Sequence, residues 1–210
     1  MQEDRSISVL GYSGHAYVVI DTLESLGYVL HGYLEKIEVQ DNPFKLSYLG
    51  FENEQIIREL SKQTSFALGI GDNSTRVKIA KGVLKFDGEI VKVIHPSAVI
   101  SQSSGLGIGT FVAGGAVINA FAEVGDFSIV NTGAIVEHEC RIGEAVHVAP
   151  GAVLLGNVQV GDRSFLGGRS VVKQGVKIGS DVIVGAGAVV VKDIVQPGTY
   201  VGNPARKLVK

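Results

Sequence analysis

The sequence predicts two unlike parts: a small Rossmann-like α/β domain, and after it an all-β parallel β-helix with a short C-terminal tail. Three observations carry that division. Up to residue 93, apolar strand patterns alternate with helical ones. From Ile94 to Val190 an aliphatic side chain recurs at every sixth residue without a slip. Past residue 195, Pro197 and Pro204 break the beat. The expected parts are therefore residues 1–93, 94–195 and 196–210, the last leaving the body as an extended arm or short helix.

In chain order, SISVL is an apolar strand, GYSGH a glycine turn, and Ala16, Val19, Ile20, Leu23 and Leu26 recur at helical spacing. YVLHGYL reads as a second strand, ENEQIIRELSKQ as a helix and SFALGIG as a strand. NSTRVKIAKGVLKF then reads as a helix and EIVKVIH as a last strand. Such alternation implies a small parallel sheet with helices on both faces. His95-Pro96 is a natural boundary, because proline ends strand pairing and restricts the residue before it.

Six divides neither a helical turn nor a heptad, and β-branched content favours extended chain. A hexad period marks a β-helix, each hexad forming one flat side of a prism. Three sides make a coil, so the stretch supplies between five and six coils. The aliphatic first position fills the interior. The fifth position is small or β-branched, as at Ala98, Thr110, Cys140 and Ala188, and fits near a corner. Gly143, Gly161, Gly179 and Gly185, each following an aliphatic residue, are expected to relieve crowding at tight turns.

Composition narrows the partners. A formal charge of −2 over 210 residues gives no electrostatic case for nucleic acid or an anionic membrane. One cysteine, Cys140, rules out an internal disulfide framework and suits a reducing compartment. MQEDRSISVL lacks the apolar core of a signal peptide, and no apolar run nears the ~18 residues of a membrane span. The expectation is a cytoplasmic protein.

Chemistry-bearing residues concentrate in IVEHECRIGEAVHVAPGAVLLGN. His138 is third in its hexad and faces outward, with Glu137, Glu139 and Asn131 as polar neighbours. His147 lies nine residues on, half a coil, so the two imidazoles cannot meet within one subunit. In a trimer, His138 of one chain could face His147 of the next. A zinc site needs three converging histidines, and the hexads offer two, with His95 several coils away; no metal is expected. Cys140 holds an inward fifth position, unavailable as a nucleophile. In the first domain, GYSGH lies between strand and helix, where free N–H groups favour a phosphate. It is not GxGxxG, which weakens a dinucleotide reading.

The hexad prism ending in GNPAR, the VLGYSGH domain before it and the IVEHECRIGE hexads together resemble a known family. It is that of the left-handed β-helix acyltransferases using acetyl-coenzyme A. Within it they resemble the bacterial acetyltransferases of nucleotide-linked 4-amino-4,6-dideoxy sugars, with sialic acid O-acetyltransferases as close relatives. The likeness covers nearly the whole chain. It implies a left-handed prism, a homotrimer with active sites in the clefts between prisms, and a nucleotide held in the N-terminal domain. It implies acetyl transfer from acetyl-CoA to the sugar's 4-amino group, with His138 as general base.

Residue roles follow from the same resemblance. Glu139 would orient the imidazole, with Glu137 as the alternative, and His147 and Asn131 would position the acetyl group. Gly11, Ser13, Gly14 and His15 would cradle the pyrophosphate, and Glu35 would accept from base or ribose. Asn73 and Arg76, in GIGDNSTR, are lesser candidates. Relatives often carry two acids where this chain has Glu35-Lys36, which leaves the nucleotide open. Residues 18 apart stack along a prism, giving one column of Pro150, Gly168 and Ala186 and another of His138, Gly156 and Gln174. Gly156, Gly168 and Ala186 would border the pantetheine arm, and Arg206 with Lys207 would meet coenzyme phosphates. The competing readings are O-acetylation of a sialic acid and a non-catalytic trimeric scaffold.

Overall fold

A computed structural model describes residues 6–209. The first five residues of MQEDRSISVL, and Lys210, lie outside the described residues. The chain divides into two compact units between Pro96 and Ser97, and residues beyond 195 group with the second.

The first unit is built on strands β1 (Ile7–Leu10), β2 (Leu30–Leu34), β3 (Tyr48–Gly50) and β4 (Ser65–Leu68). They pair in parallel in the order β3-β2-β1-β4. The two strands β1 and β4 are buried along their whole length, as expected of a parallel sheet covered on its faces. Helix α1 (Gly14–Ser25) joins β1 to β2, α2 (Glu54–Leu60) joins β3 to β4, and α3 (Asn73–Leu84) follows β4. Asn53 and Asp72 cap α2 and α3 by accepting from the backbone N–H groups of Ile56 and Thr75. Ser13, at the start of α1, makes no such side-chain bond.

Two expectations for this unit are corrected. The three-residue β3 went unread, because it is too short to show an alternating pattern. EIVKVIH does not form one strand: Ile90 makes a single bridge to Phe66 of β4, and only Val93–Ile94 is a strand.

The second unit is a three-walled prism, and the hexads explain its form. One wall stacks the strands Val99–Ile100, Val117–Ile118, Ile135–Val136, Val153–Leu154, Val171–Val172 and Val189–Val190. A second runs from Gly105–Leu106 through Arg141–Ile142 to Lys177–Ile178. A third contains Phe111–Val112, Ile129–Val130, His147–Val148, Phe165–Leu166 and Val182–Val184. Strand partners are in parallel register 18 residues apart, as in Ile135↔Val153 and His147↔Phe165. First-position residues such as Val136, Val148, Leu154 and Val172 are fully buried. Each such side chain contributes roughly 1.5–3 kcal/mol of burial.

The corners correct the reading of the glycines. Every fourth hexad position from Gly109 to Gly187 has left-handed φ, and eight of these positions are not glycine, Glu139 and Asn157 among them. The glycines that follow an aliphatic residue have no such φ. They are small because the next coil lies against them: a Cβ on Gly161 would stand 2.5 Å from the Ser180 backbone nitrogen. Close coil stacking, not turn conformation, demands them.

The tail is neither an arm nor a helix. Gly198–Val201 extends the third wall in parallel with Val182–Val184, and Arg206–Lys207 returns antiparallel beside it. Pro204 falls in the turn between them, where no ladder donor is required.

Candidate functional site

His138 sits on the turn between Ile135–Val136 and Arg141–Ile142, with its side chain 51 % exposed. In an extended strand, neighbouring side chains point to opposite faces. The left-handed φ of 60° at Glu139 breaks that alternation and brings its carboxylate beside the ring. Glu139 Oε2 lies 3.1 Å from His138 Nδ1. A carboxylate only accepts, so Nδ1 carries the hydrogen, and in the neutral ring Nε2 is the nitrogen that keeps a lone pair. Glu137, the other candidate, instead accepts from the His138 backbone N–H at 3.3 Å.

Asn131 is not among the groups around His138. Its amide Nδ2 lies 3.0 Å from His147 Nε2, because the turn after Ile129–Val130 sits one coil below the His147 strand. His147 is 8 % exposed and packs edge-on against Phe165, with ring centroids 5.0 Å apart. The pair Asn131–His147 is thus a fixed polar group on the third wall, apart from the His138 turn. Cys140 is buried, and burial pushes its thiol up to about 11, which removes it as a nucleophile.

The two stacked columns are present. Asn157 N–H donates to His138 O at 2.8 Å, and Arg169 N–H donates to Pro150 O at 2.9 Å. Their glycines differ in kind. A Cβ on Gly168 would make an ordinary 3.4 Å contact with Pro150 O, whereas on Gly156 it would collide with the His138 ring. Near the C-terminal end, Lys192, Asp193, Tyr200, Arg206 and Lys207 line a cleft of about 380 Å³. Arg206 and Lys207 are exposed there, with Lys207 Nζ 3.4 Å from Gln196 Oε1.

In the first unit, Gly11, Ser13 and Glu35 come together around a cleft of about 200 Å³. The turn is rigid. Gly11 has φ +87°, and a Cβ there would stand 2.8 Å from Ile70, so only glycine fits. The Glu35 carboxylate accepts from Tyr12 N–H at 3.1 Å and from Lys36 N–H at 2.9 Å, which ties β2 to the glycine turn. Gly14 opens α1 with nothing within 4 Å of its Cβ position. Glu52, Asp72 and Thr75 also line the cleft and were missed. Glu52 follows the unread β3, so no sequence pattern pointed to it.

Asn73 is not a lining residue of that cleft. Its side-chain oxygen accepts from Arg76 Nη2 at 2.8 Å, while Arg76 Nη1 donates to the carbonyls of Ile70 and Gly71. Arg76 is fully buried, and burial lowers it to about 10, so it remains charged and clamps the turn after β4.

Burial also lowers the His15 imidazole to about 4, with the Arg76 charge adding to the effect. The unfolded chain, at the ordinary 6.5, takes up this proton first. The stability tied to neutral His15 is therefore complete above pH 6.5 and is lost as pH falls from 6.5 to about 4. It amounts to on the order of 3 kcal/mol. Thermal melts at neutral pH and near the lower limit should show the wild type losing more than a His15→Asn variant. Equal losses would contradict a buried neutral ring.

Comparison with known proteins matches residues 6–83 to the PglD N-terminal domain. Residues 139–174 match the bacterial transferase hexapeptide, six repeats, and residues 157–192 the hexapeptide repeat of succinyl-transferase. The acetyltransferase domain of PglB from Neisseria gonorrhoeae FA1090, in complex with acetyl coenzyme A, is 33 % identical with a TM-score of 0.92. That likeness covers 98 % of this chain and 100 % of the other. PerB from Caulobacter crescentus, in complex with CoA and GDP-perosamine, is 37 % identical with a TM-score of 0.90, over 97 % of each chain. Protein L142 of Acanthamoeba polyphaga mimivirus is 53 % identical over 199 residues, 94 % of this chain. The chain spans 39 % of the length of that curated relative.

Proposed function

The chain belongs to the hexapeptide-repeat sugar N-acetyltransferases, left-handed β-helix proteins with a PglD N-terminal domain, and from that membership we propose that it transfers acetyl from acetyl-CoA to the amino group of a nucleotide-linked 4-amino-4,6-dideoxy sugar. The observation that carries the reading is the His138–Glu139 pair, a half-exposed ring held by its Nδ1. Relatives with this fold bind both reactants: PglB is described with acetyl coenzyme A, and PerB with CoA and GDP-perosamine.

The reaction needs one proton moved. The neutral sugar amine attacks the thioester carbonyl carbon, and the new C–N bond leaves nitrogen with a surplus proton. His138 Nε2 accepts it, while Glu139 stabilises the charged ring. The C–S bond breaks, and the coenzyme A thiolate takes the proton from the ring, which restores the neutral base. Asn131 and His147 position the acetyl group as a preset polar pair, and backbone N–H groups near Gly156 offer the oxyanion contact. Gly168 and Ala186 border the pantetheine arm, and Arg206 and Lys207 meet the phosphates.

The nucleotide lies on the Gly11–His15 turn, at the start of the helix that Ser13 leaves uncapped. Gly14→Val should raise KM for the sugar nucleotide several-fold and leave acetyl-CoA affinity unchanged, because its side chain would project into open space where phosphate approaches. Equal loss of both affinities would mean this domain is a structural cap.

The working form in this reading is a homotrimer in the cytoplasm. Outward residues of the first wall are Val99, Val117, Ile135, Val153, Val171 and Val189, an unbroken aliphatic ladder unlike the Glu123, Arg141, Gln159 and Lys177 of the second wall. A ladder of this kind suits burial against another subunit. Among the described residues no helix is long and apolar enough to cross a membrane. Incubation with acetyl-CoA and a panel of amino-sugar nucleotides, read by mass spectrometry, tests the proposal. Hydrolysis without any acetylated sugar would overturn it.

A further inference from the structure

Gly156 raises a question that its backbone does not answer. Its φ is not in the left-handed region, so no turn requires glycine there. Nor are the nearest atoms those of a neighbouring coil's backbone. At Gly125, Gly143, Gly161 and Gly167 an added Cβ would meet backbone atoms of the next coil. At Gly156 the nearest atoms are all in one imidazole: a Cβ would lie 2.5 Å from His138 Cε1, 2.5 Å from Nε2 and 3.2 Å from Nδ1. The ring occupies the space that a side chain would fill. The stack beneath is otherwise ordinary, with Asn157 N–H on His138 O at 2.8 Å and Gly175 N–H on Gly156 O at 3.0 Å.

We propose that Gly156 is a positioning residue whose missing side chain forms the seat of the His138 ring. The ring is 51 % exposed and is held by one hydrogen bond, from Nδ1 to a Glu139 carboxylate that is itself 62 % exposed. One exposed bond fixes a distance but leaves the ring free to swing about χ1. Contact of the ring with the Gly156 backbone supplies the second restraint. It sets the direction in which Nε2 points, which is the direction from which the amine proton must arrive. A methyl group at this position would lift the ring off the wall while leaving the backbone N–H of residue 156 in place. Any contact of that N–H with the thioester is therefore preserved in the variant.

The inference rests on His138 acting as the base, and its test separates the two ideas. In the full-length enzyme, Gly156→Ala should lower kcat about 10- to 100-fold, the cost of misplacing a reacting group by about 1 Å. KM for acetyl-CoA and for the sugar nucleotide should stay within about twofold, because the added methyl points at the His138 ring and into neither of the two clefts. The Cε1–H resonance of His138, assigned by its absence in His138→Ala, should shift, and its sensitivity to Glu139→Gln should disappear. If the resonance moves while kcat holds, the seat stands and the base reading fails. If His138→Ala destroys activity while Gly156→Ala changes neither kcat nor the resonance, the base stands and the seat is overturned. Should Gly156→Ala not fold, the double variant with His138→Ala decides: recovery of folding supports the seat, and continued failure overturns it.

Discussion

Replacing His138 with alanine is expected to lower kcat by about 10²–10⁴, the usual contribution of a positioned base. Assembly and coenzyme binding should survive, because the side chain stands outside the packed interior and is half exposed. Glu139→Gln should cost less. It keeps the ring and a hydrogen-bond acceptor beside Nδ1 but removes the charge that stabilises the imidazolium. Steady-state kinetics with a fixed amino-sugar nucleotide and acetyl-CoA decide the matter. A His138→Ala enzyme with near-wild-type kcat would make the imidazole a bystander and turn attention to His147, the other ring of the region.

Charging the aliphatic ladder should have an effect of similar size by a different route. Val153 is flanked on its wall by Ile135 and Val171, and it projects outward from the middle of the ladder. In Val153→Asp an unpaired carboxylate would enter the proposed subunit contact, where removing it from water is prohibitive. Sedimentation should show monomers, and activity should fall to the detection limit, since the reading places each active site between subunits. The interior partner Leu154 is untouched, so far-UV circular dichroism should keep the β-helix signal. A trimeric Val153→Asp protein with full activity would move the contact to another face.

The hexads were legible because a prism has no choice in what its interior accepts. Val136, Val148, Leu154 and Val172 share one environment, and the sequence repeats because the environment does. His138 was legible as an outward residue for the same reason. What the pattern hid was contact across coils. Asn131 lies seven residues from His138 in the chain, yet its partner is His147, 16 residues away, because strands pair one coil apart. Gly156 looked like space for a ligand, and that space is filled by a ring 18 residues earlier. In the first unit the signals were shorter than the features. A three-residue strand carries no period, and Asn73 is polar in sequence but committed in space to Arg76. The outward ladder could have been found by reading every third hexad rather than each in turn: Val99, Val117, Ile135, Val153, Val171 and Val189 are 18 apart.

The strict pairing of residues 18 apart imposes an arithmetic on how such a chain can lengthen or shorten. A duplication of one whole coil would lengthen the prism and return every later side chain to its own wall, since each coil contacts only its neighbours. A duplication of a single hexad between His138 and His147 would keep the interior filled and the corners satisfied, so the protein would fold. It would nonetheless turn everything downstream by one wall and carry His147 off the face it shares with Ile129, away from Asn131. Folding tolerates insertions counted in sixes, whereas the site tolerates only those counted in eighteens. Surviving length variants should therefore differ by whole coils wherever activity is kept, and by single hexads only where it has been lost.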